Sequence, residues 1–139
     1  MGGGDELMRI IISTPLHPTE DRAKVEQCLQ NILSNPDIEE EDDTFIVTST
    51  NADILAPIRE KLKGQRIRDS ARKVLLSNLN YEPFTFYLHK QAAFAGRIHF
   101  VTDQDQEDFL GPITITVEAS EEELRKLINW LTMVDFEAD

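Results

Sequence analysis

Three consecutive isoleucines, Ile10-Ile11-Ile12, lie within the stretch Leu7 to Thr14, and no other feature limits the fold as much. A β-strand sends successive side chains to opposite faces. An unbroken apolar run therefore predicts burial on both faces and a central place in a sheet. Other strands are read from period-two patterns. Thr44 to Thr50 sets Phe45 and Val47 against Ile46 and Thr48. Phe84 to Lys90 turns Phe84, Phe86 and Leu88 inward, and Arg97 to Val101 does the same with Ile98 and Phe100. After the turn signal Leu110-Gly111-Pro112, Ile113, Ile115 and Val117 alternate with threonines.

Between the strands the apolar spacing becomes helical. Thr19 is read as an N-cap, with Glu20 and Asp21 in the first turn, and Val25, Cys28, Leu29, Ile32 and Leu33 form a stripe that Asn35-Pro36 ends. A second helix starts near Asp53, capped by Asn51 or Asp53 and with Pro57 in its first turn. Gly64 ends or bends it. From Gln65 a new face runs through Ile67, Ala71, Val74, Leu75 and Asn78. Ser120 and Glu123 form a capping box before Leu124, Leu127, Ile128, Leu131 and Val134, with Trp130 beside that stripe. The order β-α-β-α-α-β-β-β-α predicts an α+β fold, a mixed sheet with helices packed on one side. At 139 residues it reads as one domain, 7–139, after a disordered start over 1–6.

The charge is unevenly distributed. The net value of −12 argues against general attachment to DNA or an anionic membrane. Yet Arg59, Lys61, Lys63, Arg66, Arg68, Arg72 and Lys73, half of the 14 basic residues, fall between Arg59 and Leu76 against only Glu60 and Asp69. A basic segment in an acidic chain predicts a negatively charged partner, RNA. On a helix, Arg66 and Lys73 lie on the solvent side and Arg68 and Arg72 along one edge of the apolar face. Asp69 is within ion-pairing reach of Arg66, Arg72 and Lys73, but one acid cannot neutralise four bases. If the strands 84–90 and 97–101 pair, Tyr87, His89, Arg97 and His99 share a face able to stack on bases. The same set fits the polar outer face of an ordinary sheet. The expected RNA contacts are Arg66, Arg68, Arg72, Lys73, Tyr87, His89, Lys90 and Arg97. The alternative is a homodimeric interaction module, its basic helix meeting the acidic run Asp37 to Asp43 of a second subunit. That run reads as a solvated loop.

No catalytic constellation is present. Gly2-Gly3-Gly4 precede the first strand, the wrong place for a dinucleotide loop, and there is no serine elbow. His17, His89 and His99 form no HxxxH pair, and no metal or cofactor is expected. Cys28 is the only cysteine, which excludes an intramolecular disulfide and marks it as a small buried hydrophobe. The connection Gln91 to Gly96 carries Phe94 as a core anchor or a subunit contact. The apolar runs are too short to span a bilayer, and a cytoplasmic location is expected.

Four stretches occur together in a recognisable order: TPLHPTEDRAKVEQ from Thr14, QRIRDSARKVLL from Gln65, FYLHKQAAFAGRIHF from Phe86 and LGPI from Leu110. In these the chain resembles the UPF0201 group of small archaeal proteins of unassigned function. The resemblance covers nearly the whole chain. It implies an α+β sandwich like that of ribosomal protein L5, an archaeal cytoplasmic protein, RNA binding by analogy of fold, and a dimer. It supplies no catalytic residues.

Overall fold

In the computed structural model, which describes residues 8–102 and 111–133, the elements follow the order β1 (Arg9–Pro15), α1 (Arg22–Ile32), β2 (Glu39–Glu41), β3 (Thr44–Ser49), a 3₁₀ turn (Ala52–Leu55), α2 (Ala56–Gln65), α3 (Arg68–Asn78), β4 (Phe84–Leu88), α4 (Lys90–Phe94), β5 (Ile113–Glu118) and α5 (Glu121–Leu131). The tail 1–6, the acidic loop 103–108 and Val134 lie outside the described residues. The sheet order is β2-β3-β1-β5-β4, and every pairing is antiparallel, so the sheet is not mixed. Helices pack on one face of it, against Ile10, Ile12, Phe45, Val47, Phe86 and Ile115 among others. Among the described residues no helix is long and apolar enough to cross a membrane.

Strand β1 is central, as expected, but not for the expected reason. Ile10 and Ile12 are fully buried, whereas Ile11 points to the opposite face and is only half-buried. Helices cover one face alone, so the pleat separates neighbouring isoleucines. On the other face Ile11, Ile46, Thr85, Thr114 and Thr116 are half-buried.

The other differences are local. Asp21, not Thr19, caps α1, accepting from the Ala23 amide at 3.0 Å. Glu20 therefore lies outside the helix. The acidic run is not all loop. Asp42 and Asp43, both at positive φ (50° and 58°), turn the chain so that Glu39–Glu41 pairs with β3 as an exposed edge strand. Three glutamates on a sheet edge discourage pairing with another chain. Arg66, not Gly64, terminates α2: it sits at φ 62° and its amide donates to the carbonyls of Leu62 and Lys63. Residues 97–101 are not a full strand, because Lys90–Phe94 first winds into α4. The returning chain meets β4 only around Leu88 and Phe100, through His89 N to His99 O and Val101 N to Tyr87 O, both 2.8 Å. Gly111 has φ +81°, and a Cβ there would lie 2.6 Å from Pro15 Cγ, so the turn into β5 requires glycine.

One buried ion pair joins the first quarter of the chain to α4. The Lys90 ammonium donates to both Glu20 carboxylate oxygens at 3.1 Å and to the Pro15 carbonyl at 2.9 Å. The two side chains are 5% and 10% exposed. Beneath them the Cys28 thiol donates to the Lys90 carbonyl at 3.3 Å. Glu20 also accepts from the His17 amide at 2.8 Å, which closes the turn before α1. Burial pushes the Cys28 thiol up to about 11, so it is a buried, neutral side chain.

Two expectations follow. Glu20→Gln or Lys90→Ala leaves a buried group without its partner and should cost about 3–5 kcal/mol in denaturant unfolding, whereas replacing both with apolar residues of similar volume should be close to neutral. The unfolded thiol ionises near 9.0 and the folded one near 11, so the folded state holds more protons between these values. Stability should fall as pH rises through that window in the parent and stay flatter in Cys28→Ala, read from urea midpoints across the pH series.

Candidate nucleic-acid interface

The basic stretch splits into two sets with different duties. Arg59 donates through Nε to the Trp130 carbonyl at 2.9 Å and lies over that indole ring at 5.3 Å. Arg72 is half-buried, with Nη1 2.7 Å from Asn129 Oδ1 and 3.4 Å from Thr132 Oγ1. These two arginines hold α2 and α3 to α5. Arg72 was expected to meet RNA; its guanidinium is engaged inside the protein. Arg66, Arg68 and Lys73 are exposed, and among the described residues no carboxylate pairs with them. The expected ion pairs of Asp69 do not form either.

Facing α3 is the segment that follows α4. Gln65 fixes it. Its side-chain amide donates to the Ile98 carbonyl at 3.0 Å and accepts from the Ile98 amide at 2.7 Å, as a strand partner would. Ile98 is buried, so its neighbours Arg97 and His99 turn outward, where both are exposed. The His89 and His99 rings meet edge to face, with centroids 5.6 Å apart. Tyr87 is 42% exposed. Of the residues expected to share a face, His89, Arg97 and His99 line one hollow and Tyr87 lines another, and two hydrogen bonds rather than a long hairpin join the two segments. Lys90 does not belong with them. The helical turn of α4 swings it inward to Glu20, and its side chain cannot reach a phosphate.

Between α3 and this segment lies a hollow of about 670 Å³ whose walls include Gln65, Ile67, Ser70, Arg97 and His99. A second hollow, of about 840 Å³, continues over the open sheet face, lined by Ser77, Asn78, Thr85, Tyr87 and Thr114 among others. Val74 and Thr102 line both, so the two hollows adjoin along α3; together they are termed the trough. At about 100° per residue, Lys73 lies next to Ser70 and Ser77 on the rim, while Arg68 shares the side of Arg72. Arg97 lines the hollow near Gln65, and the exposed Arg66 directly follows Gln65 in the chain. Glu82 lines the opposite end. Gln65 was missed as a positioning residue; its only signal was its place at the head of the QRIRD stretch.

This arrangement offers cations, ring faces and hydroxyls. Among the described residues no three of His, Cys, Asp and Glu converge to hold a metal.

The comparisons agree with the fold. A family model described as RNA binding matches residues 9–119. A UPF0201 protein of Sulfurisphaera tokodaii is 38% identical over 130 residues, 91% of this chain and 88% of its own length. One of Metallosphaera sedula is 34% identical over 90% of this chain and 87% of its own. The crystal structure of the UPF0201 protein from Methanococcus jannaschii is similar with a TM-score of 0.73 at 29% identity, covering 89% of this chain and 92% of that one. With a relative this similar running along 91% of its length, the chain belongs to the UPF0201 family.

Proposed function

We propose that the protein binds RNA in the trough along α3 and performs no chemistry on it. Arg66, Arg97 and Lys73 contact phosphates, with Arg68 behind them, while Tyr87, His89 and His99 present rings to bases. The observation that carries this reading is the set of cations unpaired among the described residues around one trough, in a chain of net charge −12. The match to a family model described as RNA binding points the same way. Arg72 and Lys90 are left out because their charged ends are bonded within the fold.

The test is a titration of fluorescein-labelled RNA at several salt concentrations. Three contacts predict a slope of log affinity against log salt of about −2.1, at ~0.7 per phosphate on single strands. Arg66→Gly is the informative variant. Glycine relieves the left-handed backbone, so unfolding free energy should hold or rise by about 1 kcal/mol while the slope becomes shallower by about 0.7. Unchanged RNA affinity in Arg66→Gly combined with Arg97→Ala would remove the trough as the binding site.

A further inference from the structure

We infer that the trough selects single-stranded RNA over duplex, reading a short run of unpaired nucleotides by stacking. This rests on the RNA-binding reading and deepens it.

The argument begins with where the rings are. Tyr87, His89 and His99 do not stand on a convex surface. Tyr87 lines the sheet-side hollow, and the two histidines line the other, each facing α3 across the trough. A duplex keeps its base faces inside the stack and offers phosphates and groove edges outside. Rings set back behind a helix cannot reach those faces. An unpaired strand can turn its bases into the recess and leave its phosphates at the rim.

Charge placement agrees. Lys73 stands on the rim of α3, Arg97 lines the hollow near Gln65 and the exposed Arg66 follows Gln65, so a backbone lying along the mouth would pass them. The carboxylate of Glu82 at the other end repels a continuing phosphate chain. Helix α3 spans 11 residues, about 16 Å at 1.5 Å per residue. The recess is short, so its site size belongs at the low end of the ~4–16 nucleotides seen for single-strand binding modules. The wall also carries the Ser70 and Ser77 hydroxyls, suited to ribose.

The experiment measures anisotropy of labelled oligouridylate of 4, 6, 8 and 12 nucleotides and of a blunt 12-base-pair RNA duplex, at one fixed salt concentration. Affinity per site should level off by about 6 nucleotides. The duplex should bind at least about tenfold more weakly, and Tyr87→Ala should weaken the single strand by about five- to a hundredfold while leaving the salt slope unchanged. Duplex binding equal to or tighter than single-strand binding overturns this inference and leaves RNA binding standing. A Tyr87→Ala variant that binds the 12-mer as the parent does also overturns it. Absence of binding to any of these RNAs overturns the RNA reading and this inference together.

Discussion

The ammonium of Lys90, buried against the Glu20 carboxylate and the Pro15 carbonyl, is the contact on which the placement of the candidate site depends. It ties the end of β1, the turn before α1 and the first residue of α4 at one point. Asn31 of α1 adds bonds to the carbonyls of Ala93 and Phe94, each at 3.0 Å. Helix α4 is only five residues long and would not persist alone. Held at its first residue and from the side, it sets the path by which the chain returns to β4. Gln65 then receives that return at Ile98. Breaking the pair would expose a charge to a dry interior, which costs more than the pair itself contributes.

Charge is sorted across the sheet. The glutamates of β2 lie at one edge, where Arg22 pairs with Glu40, and the trough lies beside β4 at the other. Two residues of the basic stretch, Arg59 and Arg72, brace α2 and α3 against α5, while Lys63, Arg66, Arg68 and Lys73 are exposed. A helix can carry both duties because successive residues face different neighbours. The acidic remainder of the chain disfavours indiscriminate attachment to polyanions.

Much of this was legible in the sequence, and the remainder has a physical cause. The alternation of Phe84, Phe86 and Leu88, and of Ile113, Ile115 and Val117, reports the core directly because one face of the sheet is dry. The stripe of α1 does the same, Cys28 included. Lys90 was not legible. Nothing local marks a lysine as buried when its partner lies 70 residues earlier. The clamp at Gln65 is likewise a long-range fact, reaching 33 residues along the chain. Strand β2 escaped notice because its pairing uses the backbone alone, and three glutamates carry no apolar signal. The full strand expected over residues 97–101 failed because alternation over five residues cannot show that the preceding segment will coil.

The most direct test of the account is a map of backbone amide shifts in ¹⁵N-labelled protein on adding a short oligouridylate. The account predicts that changes concentrate on Gln65 to Ser77 and on Arg97 to Thr102, with Tyr87 and His89 included, and spare β2 and the outer side of α1. Changes centred on those spared elements, or no saturable change at all, would contradict it.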